Sequence, residues 1–422
     1  MLFRHISALL IAWGVSASYA QAAEPAVPFR IQLDTITRGF NGRPYDGTMC
    51  YAQARAGIVP RAGRDPLVVV TMSPLKLSGS DVYFELHEMR TEDLGRTWVG
   101  PFKHPQTLGR RPAEKLGDKL TTAVVCDYWP KWHAKSGKLL GTGQSLSFID
   151  DAAPVRGGPR STTFSVYDAE QHVWSKWDAV ALPEGKLSYA CGAGCTQRVD
   201  LPNGEILLPV YYRTEGNPIA ESKVLRCGFD GRKLTLLEEG PPLTLPTKRG
   251  LGEPSLARFN GRFYLTLRHD DAGYVTSGDD GLHFGPIKKW TWDDAAELGT
   301  YNTQSHWVTH SDALYLVYTR RGANNDHVFR HRAPLFIAEV DVARLQVKKA
   351  TEQILIPEKG CRYGNFGVCD VNEHETWIVE TEWMQRPPEE PVIPVKNRWG
   401  AEARVYAARI LWSKPNRIWD AR

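Results

Sequence analysis

The sequence predicts an all-β chain folded as a six-bladed β-propeller. Three observations carry that expectation: a turn motif that recurs far along the chain, a series of hairpins at regular spacing, and the near absence of helical periodicity. The motif is Thr91-Glu92-Asp93-Leu94-Gly95-Arg96-Thr97-Trp98, which fits the Asp-box pattern Ser/Thr-x-Asp-x-Gly-x-Thr-Trp at every fixed position. Its spacing has a physical reason. Asp93 can bond backbone N–H groups across a tight turn, Gly95 can take positive φ, and Trp98 can pack between strands. A near-copy runs from Ser277 to Phe284 with Phe in the Trp position, and Tyr167-Asp168 before Trp174 reads as a decayed third. Trp98 and Phe284 are therefore expected to be buried at equivalent blade corners.

At the amino terminus, Arg4 and His5 precede the apolar run Ile6 to Val15, and small residues follow at Ser18, Ala20, Ala22 and Ala23. This is the layout of a cleaved secretory signal. The run is too short to span a bilayer, which needs about 20 residues. Residues 1–22 are expected to be removed and residues 23–422 to form one propeller domain, secreted or periplasmic, with no membrane insertion after cleavage. The net charge of +4 is spread without a Lys/Arg block, which argues against nucleic acid as a partner. Seven cysteines are too few for a disulfide scaffold; a Cys361–Cys369 bridge or simple buried thiols account for them. No spacing encodes a metal site, and no cofactor is expected.

The hairpins follow in order. Apolar runs at Leu67–Met72, Lys138–Gly143, Glu205–Tyr212, Arg262–Leu267, Ala313–Tyr318 and Glu375–Thr381 mostly follow turn residues such as Ser136-Gly137, Asn203-Gly204 and Asn260-Gly261, and a further strand precedes each turn. Those preceding strands start near Ala54, Ala123, Ala190, Glu253, Thr303 and Phe366, giving six units at intervals of roughly 50 to 70 residues. Pro387 to Pro394 reads as a loop inside the last unit. A two-sheet sandwich fits the composition equally well, but not the repeat. In a propeller the innermost strands converge on a central channel, so polar side chains at their starts meet there although they are distant in sequence.

The turn motifs, the amino terminus and the charged residues on the inner hairpins resemble the sialidase superfamily of six-bladed propellers, over nearly the whole mature chain. Arg55 opens Arg-Ala-Gly-Ile-Val-Pro60 and Asp81 lies 26 residues on, similar to the Arg-Ile-Pro-like motif and catalytic Asp of sialidases. Gly252-Glu253-Pro254 leads through Asn260-Gly261 to Arg268, similar to the sialidase Glu that opens one inner strand and the triad Arg that ends the next. In the fifth unit, Asn302, Gln304 and His306 supply polar groups at a strand start, and Arg320, Arg321 or Arg332 could complete an arginine cluster. Arg suits such a site because its rigid fork pairs bidentately with carboxylate. The sixth unit departs from the pattern. Sialidases place their nucleophilic Tyr there, whereas this chain has Gly364-Asn365-Phe366-Gly367, with Tyr363 just outside.

The resemblance implies an exo-acting glycoside hydrolase that cleaves a terminal, acidic sugar from a glycan or polysaccharide. Asp81 and Glu253 are the catalytic candidates, as the paired carboxylates of a glycosidase. Arg55, Arg268, Arg320, Arg321, Arg332, Asn302, Gln304, His306, Tyr212, His133 and Asn365 are the substrate-binding candidates. Two other readings stay open: a polysaccharide lyase acting on a uronate, with His133, His306, Tyr211 or Tyr212 as base, and a non-catalytic glycan-binding propeller.

Overall fold

The computed structural model describes residues 27–418 apart from 80, 151, 153, 156 and 387–391, with the backbone alone at 114 and 116. The expected signal segment and most of the Pro387–Pro394 loop lie outside the described residues. Six small antiparallel sheets follow one another as blades. Blade 1 is Met49–Val59, Leu67–Lys76, His87–Thr91 and Val99–Lys103. Blade 2 is Lys119–His133, Lys138–Phe148, Thr162–Asp168 and Val173–Trp174, with Arg111–Leu116 paired to the first strand. Blade 3 is Ala190–Gly192, Ile206–Arg213, Glu221–Phe229 and Leu234–Glu239; blade 4 is Gly252–Phe259, Arg262–Arg268, Tyr274–Gly278 and Lys288–Lys289. Blade 5 is His306–Thr309, Leu314–Tyr318, Leu335–Asp341 and Gln346–Val347. Blade 6 is Gly367–Asn372, Glu375–Thr381 and Val405–Trp412, completed by the amino-terminal strand Phe29–Thr37. Among the described residues the helical segments are short 3₁₀ stretches, at Phe329–His331, Lys349–Thr351 and 417–418, and no helix is long and apolar enough to cross a membrane.

The turn motif lies between the third and fourth strands of blades 1 and 4, but in blade 4 the turn N–H groups go to Asp280, while Asp279, at the motif's aspartate position, pairs with Arg262. The same corner recurs in every blade whose third strand runs on into a fourth. Asp93, Asp168, Asp230, Asp280 and Asp341 each accept backbone N–H groups two to four residues ahead. An Asx carboxylate that satisfies the orphan donors of a tight turn is why Asp recurs there. Trp98 and Phe284 occupy equivalent corners but are half-buried rather than buried; the Trp98 ring lies 6.1 Å from that of Trp377 in blade 6. All seven cysteines are buried and unbridged, so Cys361 and Cys369 do not pair.

Aromatic side chains fill the spaces between blades. Phe29, Tyr315 and Trp412 join blades 5 and 6 edge to face, and Trp290, Trp307 and Tyr264 join blades 4 and 5. Burying each such ring contributes about 2–3 kcal/mol. In each inner hairpin the first strand begins beside the end of the second: Met49 pairs with Lys76, Ala190 with Arg213 and Gly252 with Arg268. Those ends gather on one side of the ring, and the hairpin turns lie on the other. Blade 3 departs from a continuous inner strand, because its chain passes tightly over Gln144: a Cβ at Gly194 would come within 2.2 Å of that side chain. Cys195 beyond it is left-handed (φ 57°).

Candidate active site

Glu253 opens the inner strand of blade 4 at a bulge between Gly252 and Ser255. The bulge places it beside Arg268, whose Nη1 donates to its Oε1. Glu253 has φ 44°, although it precedes a proline, which favours extended backbone. Strain of this kind collects at functional sites. Arg268 Nη2 donates to Asn302 Oδ1 at 2.7 Å, while the Asn302 carbonyl accepts from Arg332 Nη2. Asn302 thus ties a blade 4 arginine to a blade 5 arginine.

Arg332 is 4 % exposed and its Nε has no partner. Burial, then the charges of Arg268, Arg362 and Arg330, hold its guanidinium well below the usual value, with Glu253 opposing them. Arg362, from blade 6, donates to Gln385 Oε1 at 2.7 Å and lies 4.3 Å from the Trp383 ring and 5.2 Å from Phe329. Burial pushes it down to about 10, with Arg330 adding to the fall and Asp81 opposing it. Arg330 stacks 5.0 Å from the same Phe329 ring; burial and then Arg268 lower it, and Asp81 again opposes. Among the described residues, Arg330, Arg332 and Arg362 meet no carboxylate within ion-pair distance. Asp81, left-handed at φ 59°, closes the ring from blade 1 and accepts the Tyr83 hydroxyl at 3.0 Å.

Blades 2 and 3 form the facing wall. Asp127 sits at a bulge in the inner strand of blade 2 and accepts Gln144 Nε2 at 2.7 Å and the Cys195 thiol. Burial pushes its carboxyl up, with Arg55 as the main opposing charge. Tyr211 donates to Gln144 Oε1 at 2.9 Å, and the Arg160 guanidinium lies 5.0 Å from its ring. The charge of Glu253 acts on Asp127, Arg160 and Tyr211 alike. A groove of about 670 Å³ over blade 1, lined by Phe40, Phe84, Glu85, His87 and Lys103 among others, includes none of these charged residues.

The sequence-predicted residues divide by place. Asp81, Glu253, Arg268, Arg332 and Asn302 are together in the cluster. Arg55 lies beneath it instead, fully buried, with Nε on Phe366 O at 3.2 Å, the Trp129 ring 5.5 Å away and both terminal nitrogens without a partner. His306 packs between Trp129 and Phe366 with Nδ1 on Ser255 Oγ at 2.6 Å, and burial pushes its pKa far down. Gln304 and Asn365 bond each other at 3.0 Å in the same floor. Arg320 is outside the cluster, in an ion pair with Glu352 at 2.7 Å. Arg321 lies on the rim over the Tyr301 ring, donating to Asp271 O at 2.9 Å. Tyr212 points away from its neighbour Tyr211, as alternate strand residues must, and bonds Glu221. His133 lies at the hairpin-turn end, between Gly204 O (2.9 Å) and Ser136 Oγ (2.8 Å). Tyr363 is 1 % exposed in the core, its hydroxyl on Pro357 O at 3.0 Å. The residue beside it, Arg362, takes the pocket-facing place, and neither it, Arg160 nor Asp127 was singled out from the sequence.

No family model matches the sequence, and no curated relative does either. Solved structures match over most of the chain. A protein of unknown function from Dyadobacter fermentans superposes with a TM-score of 0.58 at 13 % identity, over 90 % of this chain and 99 % of that one. The Trypanosoma rangeli sialidase gives 0.56 at 15 % identity over 90 % of this chain, which spans 59 % of that protein's length. The NanB sialidase of Streptococcus pneumoniae gives 0.56 at 10 % identity, over 91 % of this chain and 70 % of that one. What is common at these identities is the architecture: this chain has the sialidase-like six-bladed β-propeller fold.

Proposed function

We propose that the protein is an exo-acting glycoside hydrolase, exported from the cytoplasm, that removes a terminal acidic sugar from a glycan or polysaccharide. The observation that carries this reading is the set of three guanidiniums, Arg330, Arg332 and Arg362, gathered around Asn302 and the Phe329 ring beside Asp81 and Glu253 and without a carboxylate partner among the described residues. Like charges held together at low exposure repel, and an anionic ligand relieves that repulsion while receiving charge-assisted hydrogen bonds. Export rests on the amino-terminal sequence pattern.

In this reading Asp81 is the acid that protonates the glycosidic oxygen as the bond to the anomeric carbon breaks. Glu253, fixed by Arg268, stabilises the positive charge growing on the sugar ring and takes the proton of the incoming water. Tyr363 cannot attack, because its hydroxyl is in the core, so a tyrosine nucleophile at the start of blade 6 has no place in the mechanism. The test is turnover of terminal sialosides, uronides, rhamnosides and arabinosides, followed by mass and by ultraviolet absorbance. Release of an acidic sugar with addition of water supports the proposal; release of neutral sugars alone sinks it. The Arg160–Tyr211 pair favours a second reading, lyase chemistry on a uronate, with Tyr211 as base. An unsaturated, absorbing product would select it.

A further inference from the structure

The four arginines form two pairs, each with its own organiser. Arg268 and Arg332 are joined through Asn302, whose side-chain oxygen accepts from Arg268, and also from Arg249, and whose main-chain oxygen accepts from Arg332. Arg330 and Arg362 share the Phe329 ring, at 5.0 and 5.2 Å. An aromatic face attracts a cation and so holds two like charges near each other without neutralising either. The pairs also differ in neighbours. The first stands against Glu253, and the second stands in the field of Asp81. Arg249 adds no net charge, because Asp270 pairs with it bidentately. Four guanidiniums stand beside two carboxyl groups, Glu253 and Asp81, so positive charge exceeds negative by at least two, and one carboxylate on a bound sugar offsets only one of these charges. Complementarity of charge is what a pocket uses to choose between ligands of similar shape.

We infer that the site takes a ligand carrying two anionic groups, one on the Arg268–Asn302–Arg332 pair and one on the Arg330–Phe329–Arg362 pair. The second group is a sulfate ester on the same uronate-like sugar or the carboxylate of the adjoining sugar. Both present a planar or tetrahedral array of oxygens to two forked donors. This inference rests on the acidic-sugar reading above, and goes beyond it in the number and placement of charges.

The experiment is calorimetric titration of the full chain at low salt with four probes: glucose, glucuronate, glucuronate bearing one sulfate ester, and a disaccharide of two uronates. Binding rather than turnover is read, so the result is independent of the bond that is cleaved. One of the two dianions should bind at least about tenfold more tightly than glucuronate, and which one does so identifies the source of the second charge. Arg330→Gln should remove the preference, so that the dianion and glucuronate bind this variant within about threefold of each other. Arg330→Lys, which keeps the charge, should retain the preference. Equal affinity for glucuronate and both dianions overturns the inference and leaves the acidic-sugar reading standing; so does an Arg330→Gln variant that weakens all anions alike. If glucose binds as tightly as glucuronate, or no anion binds, the acidic-sugar reading fails and the inference with it.

Discussion

Replacing Arg362 by Met should separate stability from binding. Burial and Arg330 push this guanidinium down to about 10. It is charged at pH 7 in both folded and unfolded chain, so the depression destabilises the native protein at every pH below about 10. At about 1.4 kcal/mol per tenfold, two and a half decades amount to about 3 kcal/mol. Against this stand one hydrogen bond to Gln385, worth about 1 kcal/mol, and the Trp383 and Phe329 ring contacts, worth about 1 kcal/mol together. Gln385 Oε1 is not orphaned by the change, because Trp383 Nε1 also donates to it at 2.8 Å. Met fills a similar volume with flexible apolar atoms. Arg362→Met should therefore be as stable as the native chain or up to about 1 kcal/mol more stable in urea unfolding at pH 7. Its affinity for an acidic glycan should fall about 10- to 100-fold, as expected for a lost charge-assisted bond. A variant destabilised by more than about 2 kcal/mol, or one that binds an acidic glycan unchanged, would refute the argument that Arg362 is held in the pocket for a ligand.

Asp81→Asn should fold normally and lose about 10²–10⁴-fold in turnover of substrates with poor leaving groups, with a smaller loss on activated aryl glycosides. Glu253→Gln should disable both substrates alike, and equal activity of either variant and the native protein would remove the two-carboxylate mechanism. His133→Ala should cost about 1–3 kcal/mol of stability by freeing Gly204 O and Ser136, yet leave kcat unchanged; a collapse of kcat at native stability would make His133 catalytic after all. The Asp93 turn is one contributor to the acid limb of stability, beside other carboxylates held low such as Asp168, Asp230 and Asp270. Hydrogen bonds from Thr97 hold its carboxylate down at about 2, so the stabilisation is complete above the unfolded value near 4 and is lost as pH falls through about 2. Urea midpoints between pH 2 and 5 should fall less steeply for Asp93→Asn than for the native chain, and parallel curves would show that the turn contributes nothing.

The inner hairpins were legible because each begins or ends at a turn whose residues have their own local reason to be there. Asn260-Gly261 hands Phe259 directly to Arg262, and Asn203-Gly204 stands just ahead of Ile206. Glu253 and Arg268 were legible for the same reason, since a short antiparallel hairpin fixes which ends meet. Arg55 misled because a bulge lies between Ala52 and Arg55, with Gln53 left-handed at φ 59°. One extra residue changes which face each later side chain takes, and Arg55 is sent across Gly367, where a Cβ would come 2.6 Å from its Cγ. Asp127 stands at a comparable bulge. Between Arg362 and Tyr363 the alternation of a strand says only that they point oppositely. Which of them faces the axis depends on how the 362–366 segment is pinned by the Glu380 carboxylate, which accepts the Gly364 and Asn365 N–H groups. Arg320, Arg321 and Arg332 looked alike because their positions are set by loops, where no period applies.

The sixth blade borrows its outer strand from the other end of the chain, with Phe29 opposite Trp412 and Thr37 opposite Val405. Ser413 and Pro28, which bond beside this seam, are 385 residues apart. Closing a loop that long costs about 5 kcal/mol of chain entropy, against about 2 kcal/mol for a ten-residue hairpin, so the other sheets can assemble from contiguous chain well before the seam does. The arginine pairs span blades 4, 5 and 6, and Asp81 reaches them from blade 1 across the seam side of the ring. Refolding kinetics should therefore show β-structure gained in an early phase and affinity for an anionic ligand in a later one, with changes to the Phe29–Thr37 strand slowing only the second.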